Sequence, residues 1–239
     1  MAERRVPIGA VALLGSILVA VGVWLALNSS LFAIREVRVV GNAWLTGAEV
    51  RALGGVREGA NLFRLSPPEV ERGLQRSAWV AKARVDRRWP STVVLWIEER
   101  RPAAWLRSPD GPVMVSGNGT VLPTGAGQSL QRPVRKLPSL GHTGRRLDPG
   151  ERFPGGAALR VAASFTPQLG RLVDRVRTTG GEVLLDLHGE GVVLYGTADA
   201  AEAKNAAALA LLRRTTQDGI EIDYLDVRSP STPVLRPTR

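Results

Sequence analysis

The 22 residues from Val6 to Leu27, VPIGAVALLGSILVAVGVWLAL, carry no charge, and Ser16 is their one hydroxyl. A helix rises 1.5 Å per residue, so about 20 apolar residues cross the ~30 Å hydrocarbon layer of a membrane. The apolar core of a cleavable signal is shorter, roughly 7–15 residues, and ends at a small-x-small site. The run is therefore read as a retained membrane helix over residues 6–27. Arg4 and Arg5 precede it in a five-residue tail. Basic residues beside a span set its orientation, whereas long domains translocate with little regard to their own charge. This predicts a cytoplasmic tail over 1–5 and everything beyond the helix outside the cytoplasm. Trp24 lies near the outer end, where an aromatic ring suits the interface. Ala12, Ser16 and Ala20, spaced at i, i+4 and i+8, form a small-residue stripe along which a second helix can approach.

The remainder of the 239-residue chain suits two small domains at about 100–200 residues each. It has no cysteine, which excludes disulfides, thiolate-bound zinc, Fe–S clusters and thiol catalysis. Its two histidines, His142 and His188, are too few for a histidine metal cluster or proton relay. Lys and Arg number 32 against 22 Asp and Glu, a net charge of +10. These cations are spread along the chain and not gathered in a stripe, so they do not make a nucleic-acid footprint. The densest stretch, Arg132 to Arg152, interleaves cations with Asp148 and Glu151 and reads as a solvated basic surface facing an anionic membrane or wall polymer.

Behind the helix, residues 34–97 spell β-α-α-β-β. Ile34–Val40 alternates, with Val37 and Val39 on one face, and stops at the turn pair Gly41-Asn42. Thr46 and Glu49 form a capping box for a short helix closed by Gly54-Gly55. Ser66-Pro67-Pro68-Glu69 reads as a second capping box, opening a helix with Val70, Leu74 and Ala78 on one side. Ala81, Ala83 and Val85 alternate with charged neighbours, Val93, Leu95 and Ile97 follow, and the two strands are expected to form a hairpin.

Three groups of residues in this half carry a family resemblance. They are Phe32-x-Ile34-x-x-Val37-x-Val39-x-Gly41-Asn42, then Asn61-Leu62-Phe63-x-Leu65, then Trp79-Val80 with Trp89-Pro90-x-Thr92-Val93 and Glu98-Glu99-x-x-Pro102-x-Ala104-Trp105. In this order behind one anchor and a short basic tail, they resemble the POTRA domain of the bacterial FtsQ/DivIB division proteins.

Residues 101–239 read as a mostly antiparallel β domain with helices. Val113–Ser116 and Thr120–Leu122 flank Gly117-Asn118-Gly119 as a hairpin. Residues 123–156 yield no strand. Ala157–Phe165 reads as a helix, and Leu172–Arg177, Glu182–Leu187 and Val192–Gly196 as strands. A helix over Ala198–Thr216 turns Leu209 and Leu212 toward the core, and strands Glu221–Arg228 and Thr232–Arg236 follow. Here too the chain is similar to FtsQ/DivIB: Asp110-Gly111 through Gly119-x-Val121-Leu122-Pro123, Leu137-Pro138-x-Leu140, Val193 through Gly196 with Lys204, and Ile222-Asp-Tyr224-Leu-Asp226-Val-Arg228 match its motifs. Ser229-Pro230 departs from the family, and Pro230 cannot donate to a ladder. The expectation is an open edge along Glu221–Arg228.

No catalytic constellation stands out. Glu98 and Glu99 are adjacent and on a strand point to opposite faces, and Gly125-Ala126-Gly127 lacks the strand-helix context of a phosphate loop. Both histidines read as exposed loop or turn residues. Most tryptophans read as packing residues, with Trp44 and Trp89 as candidate anchors for a partner.

The fold class is therefore α+β: one membrane helix (6–27), a POTRA domain (32–100) and a β domain (101–239). The resemblance implies no enzyme and no cofactor, metal, nucleic acid or small-molecule substrate. It implies a bitopic divisome scaffold in the inner membrane, concentrated at the septum. Such a scaffold would bind FtsB- and FtsL-like proteins, and through them the septal peptidoglycan synthase. The partner strand falls on Tyr224, Leu225, Asp226, Val227 and Arg228, and the POTRA domain serves recruitment. Two rivals are an envelope assembly factor whose POTRA domain handles unfolded polypeptides, and an anchored wall hydrolase. The single POTRA copy argues against the first, and the missing metal and nucleophile sets against the second. A reporter active only outside the cytoplasm, fused after Arg239, is expected to be active; a soluble processed product starting near Asn28 overturns the retained anchor.

Overall fold

The computed structural model describes residues 8–124 and 136–238 and divides into two compact units, Met1–Glu98 and Glu99–Arg239. The tail with Arg4 and Arg5, the Gly125-Ala126-Gly127 segment, Arg132 and Arg135 lie outside the described residues, as does the side chain of Ala12.

In the first unit, α1 (Ile8–Leu27) is the one helix among the described residues long and apolar enough to cross a membrane. The last carbonyls of a helix have no partner within it. Here side chains meet them: Asn28 Nδ2 donates to Trp24 O at 2.8 Å, Ser29 Oγ to Ala26 O at 2.7 Å, and Asn61 Nδ2 to Leu27 O at 2.7 Å. A single 3-10 turn (Ser30–Phe32) leads into β1 (Glu36–Val40). Next comes α2 (Gly47–Gly54), where the Thr46–Glu49 capping box forms as expected and Gly55 ends the helix at φ +65°.

The expected second box does not form. In α3 (Pro67–Gln75) the Ser66 side chain makes no capping bond. Pro67 and Pro68 remove two amides that need a partner, and the Glu69 amide donates to the Ser66 carbonyl at 3.1 Å, which leaves a side-chain cap little to satisfy. Val70 and Leu74 are buried on α3 as the helical spacing predicts, whereas Ala78, expected on the same helix, is buried in the turn beyond its end at Gln75. β2 (Val80–Arg88) and β3 (Thr92–Glu99) complete a sheet of order β1-β3-β2, with β1 parallel to β3. Val37, Leu74, Trp79, Val93 and Leu95 lie in the core.

In the second unit the order is β4 (Pro102–Ser108), β5 (Gly111–Ser116), β6 (Val121–Leu122), β7 (Ser139–His142), α4 (Gly156–Ser164), α5 (Pro167–Gly170), β8 (Val173–Thr179), β9 (Glu182–Leu187), β10 (Val192–Gly196), α6 (Ala201–Asp218), β11 (Ile222–Asp226) and β12 (Val234–Pro237). All nine strands join one sheet in the order β12-β11-β10-β9-β8-β7-β4-β5-β6. Antiparallel pairings outnumber the parallel ones, which are β4–β7, β7–β8 and β10–β11.

Three expectations need correction here. β4 and β7 are strands that the periodicity does not reveal, and β7 ends at His142, which is exposed at a strand end and not in a loop. Leu209 is only half-buried, and the core face of α6 runs through Ala208, Leu212 and Thr215. Finally, β11 is not an open edge. The chain reverses through Ser229–Thr232, with the Thr232 amide donating to Ser229 O at 3.1 Å, and β12 pairs antiparallel along β11. Pro230 sits in that reversal, so it ends no ladder.

Gly41 tests how β1 leaves the sheet. It adopts φ +90°, and a Cβ there would lie 2.1 Å from the Ile97 carbonyl oxygen. Gly59 has a similar φ, +83°, with nothing within 4 Å. Left-handed strain alone costs roughly 1–3 kcal/mol. Gly41→Ala is expected to lower Tm well beyond Gly59→Ala, by on the order of 5 °C or more; equal losses in a thermal melt would exclude the close approach as the cause.

Candidate functional site

An exposed sheet edge carries backbone N–H and C=O groups that a second chain can satisfy by adding a strand. The nine-stranded sheet has two ends. At β6 the chain covers its own edge: the Val121 amide donates to Glu151 O at 2.9 Å and the Gly150 amide to Val121 O at 2.8 Å. At the other end lies β12, and among the described residues no further strand pairs with it. This strand is short, preceded by Pro233 and ended by Pro237, features that limit indiscriminate pairing.

The strand beneath it carries the residues singled out in the sequence. In register, Tyr224 lies opposite Arg236, Leu225 opposite Leu235 and Asp226 opposite Val234. Leu225 and Val227 are fully buried, so their side chains belong to the core and offer nothing outward. Tyr224 is half-buried. The Arg236 guanidinium lies 5.8 Å from its ring centroid, within cation–π reach, and Arg236 Nε is 3.4 Å from Asp223 Oδ2. Val234, which lies in the expected strand Thr232–Arg236 but is not among the site residues singled out in the sequence, is 54% exposed and is the main apolar side chain on the edge strand.

Arg228 is not free for an acid on a partner. Its Nη2 donates to Asp226 Oδ2 at 2.6 Å, its Nε lies 3.1 Å from both Asp226 oxygens, and Nη1 is 3.6 Å from Glu182. The hydrogen bonds from Arg228 hold the Asp226 carboxyl below its usual range, and Asp226 raises the Arg228 guanidinium in turn. Gly196, at φ +75°, makes room for this: a Cβ there would lie 3.0 Å from Arg228 Cγ.

Behind this surface β10 is braced by a buried polar cluster. Lys204 is 2% exposed, and its Nζ donates to Thr197 O at 3.0 Å and lies 3.3 Å from Asp199. The Tyr195 hydroxyl lies 3.0 Å from Asn205 Oδ1, and Asn205 Nδ2 donates to Ser164 O at 2.9 Å. Burial is the main reason the Tyr195 hydroxyl is pushed up from its usual value. The cluster fixes α6 against β10, which in turn positions β11. Among the described residues, no group of three or more His, Asp or Glu side chains could hold a metal ion. His188 lies 3.6 Å from Asp174 on the surface, and Glu98 pairs with Lys82 at 3.0 Å.

The FtsQ-type POTRA domain family matches residues 32–100. The cell division protein FtsQ of Mycolicibacterium smegmatis is 31% identical over 94% of this chain and 63% of its own length. That of Mycobacterium bovis is 30% identical over 98% of this chain and 72% of its own. That of Streptomyces bingchenggensis is 28% identical over 95% and 83%. The chain belongs to the FtsQ family. It spans less than two thirds of some relatives, 63% of the M. smegmatis protein and 56% of that of Mycobacterium leprae. As an FtsQ-family protein it combines one apolar helix with a POTRA domain and a β domain, and the β11–β12 hairpin is the part of that β domain where a sheet edge meets polar side chains. Of the candidate anchor residues, Ser16, Ala20 and Trp24 are exposed on α1.

The depressed Asp226 carboxyl gives a pH prediction. A lowered folded value means that its contribution to stability is present above the unfolded value and is lost as pH falls through the folded one. Tm is expected to drop on acidification below about pH 4, and Asp226→Asn should flatten part of that drop while matching the parent least well at neutral pH. An acid limb unchanged in the variant removes the pair from the explanation.

Proposed function

We propose that this FtsQ-family protein is a non-enzymatic, single-pass scaffold of the divisome. On this reading α1 anchors it with the tail in the cytoplasm, and the two units outside gather other division proteins at the septum. The C-terminal sheet captures small FtsB- and FtsL-like partners by strand addition on β12. Tyr224 and Val234 contribute apolar contact, and the backbone contributes much of the affinity. The observation that carries this is the asymmetry of the nine-stranded sheet: one end is sealed by Gly150–Glu151, and the other ends at β12. The rival reading, an envelope assembly factor that handles unfolded polypeptides through its POTRA domain, places its binding surface within 32–100 instead. Septal localisation and indirect attachment of the peptidoglycan synthase belong to the first reading alone.

The test separates edge from core. Tyr224→Ala with Val234→Asp is expected to leave Tm near the parent's while weakening capture of an FtsB-like peptide at least tenfold, about 1.4 kcal/mol. Val227→Asp buries an unpaired carboxylate and is expected to lower Tm whatever the partner does. Full binding by a folded Tyr224→Ala, Val234→Asp variant would falsify the edge site. Loss of capture on mutating the POTRA unit alone would favour the rival.

A further inference from the structure

Three aromatic rings from separate segments of the first unit meet at its surface. Phe32 follows the end of α1, Phe63 lies between α2 and α3, and Trp89 lies between β2 and β3. Their centroids are 4.7 Å apart for Phe32–Phe63, 4.3 Å for Phe63–Trp89 and 5.9 Å for Phe32–Trp89. A cluster of this kind usually forms part of a core. Here Phe63 is 40% and Trp89 50% exposed, and Leu31 beside them is 56% exposed.

The cluster is fixed to the membrane helix by more than chain continuity. Asn61 Nδ2 donates to Leu27 O, Arg64 Nη2 donates to Asn28 Oδ1 at 2.6 Å, and the Leu62 amide donates to Phe32 O at 2.8 Å. The Asn61-Leu62-Phe63 segment therefore grips the last turn of α1 and places its aromatic ring beside it. Cations rim the patch. Arg87 lies 5.8 Å over the Trp89 ring, Arg64 is tied to Asn28, and Arg88 is exposed on the neighbouring residue.

We infer that this face is a lipid-binding seat, resting on the phospholipid headgroup layer into which the end of α1 opens. Phe32, Phe63, Trp89 and Leu31 occupy the interfacial zone, and Arg64, Arg87 and Arg88 meet lipid phosphates. The inference rests on the reading of α1 as a membrane span. If α1 crosses the bilayer, its last residue lies at the boundary, and so does everything hydrogen-bonded to that residue. Aromatic rings favour that depth, and basic side chains beside it are drawn to anionic lipid. The chemistry of the patch thus matches the place to which the hydrogen bonds confine it. The seat holds the first unit at a defined tilt, where a flexible tether would let it tumble.

The absence of cysteine makes the test direct. Single variants Phe63→Cys, Trp89→Cys and Leu31→Cys, with Lys82→Cys as the control, carry a spin label in the full chain. Each is reconstituted in phosphatidylcholine vesicles containing phosphatidylglycerol. Position 82 lies six residues from Arg88 along β2, roughly 20 Å at 3.3 Å per residue. Labels at 31, 63 and 89 are expected to collide with oxygen in preference to a water-soluble nickel chelate, with nickel access several-fold below that at 82. Leu31 is outside the ring contacts, so it reports even if the other two variants loosen the cluster. Nickel access at 31, 63 and 89 equal to that at 82 overturns the seat. Exclusion of both reagents, the sign of a second copy covering the face, overturns it too. A chain that fails to float with the vesicles contradicts the membrane span itself, whereas a floating chain with water-exposed labels contradicts only the seat.

Discussion

Backbone polar groups that leave water must find partners, and most of this molecule follows from how that demand is met. Along α1 the helix satisfies itself, as any segment in lipid must. At its end Asn28, Ser29 and Asn61 supply donors for Trp24 O, Ala26 O and Leu27 O, so the chain re-enters water without a frayed turn. In the second unit the same demand runs across nine strands, is met at one end by Glu151 and Gly150 folding onto Val121, and is left for β12 at the other. The helix terminus and the β12 edge are thus two places among the described residues where the pairing scheme meets something other than itself.

Polar side chains fill gaps that the backbone cannot. Asn205 bridges Tyr195 and Ser164 across three elements, and the buried Lys204 reaches Thr197 O and the exposed carboxylate of Asp199. Buried polar groups of this kind are costly unless paired, so they fix one arrangement of α6 on β10 and disfavour sliding alternatives. At the surface the Asp226–Arg228 pair spans two residues of one chain segment and is solvent-exposed on the arginine side. Its effect is to orient the chain as it leaves β11, and its stabilisation is the modest, pH-dependent share that an exposed pair supplies.

How much could be read in the sequence depended on whether the signal was local. The Thr46–Glu49 box, the Gly55 terminator and the Val70–Leu74 face of α3 each lie within a few residues, and the structure has all of them. β7 could not be read this way. Ser-Leu-Gly-His has no alternation, and its partners are β4, more than 30 residues earlier, and β8, more than 30 later, both parallel. The edge was misjudged for a related reason. Pro230 reads as the end of a ladder when only its own segment is considered, but the reversal around it brings Val234–Pro237 back onto Ile222–Asp226. The resemblance put the partner strand on Tyr224 to Arg228, whereas the covering of Tyr224 by Arg236 and the engagement of Arg228 by Asp226 and Glu182 come from side chains on β12, β11 and β9 that only the folded sheet brings together.

The order of strands also sets an order in time. β12 can pair only with β11, which lies parallel to β10 across the long helix α6, and so the edge waits on a crossover that must itself be folded. Contacts of this kind form late because loop closure has to precede them. For a chain made from its amino end, β12 is the last of the described elements to emerge and the last to dock. A half-made copy therefore lacks β12 and ends its sheet at β11 or β10 instead, so the edge that the finished sheet presents exists only once the crossover through α6 is in place.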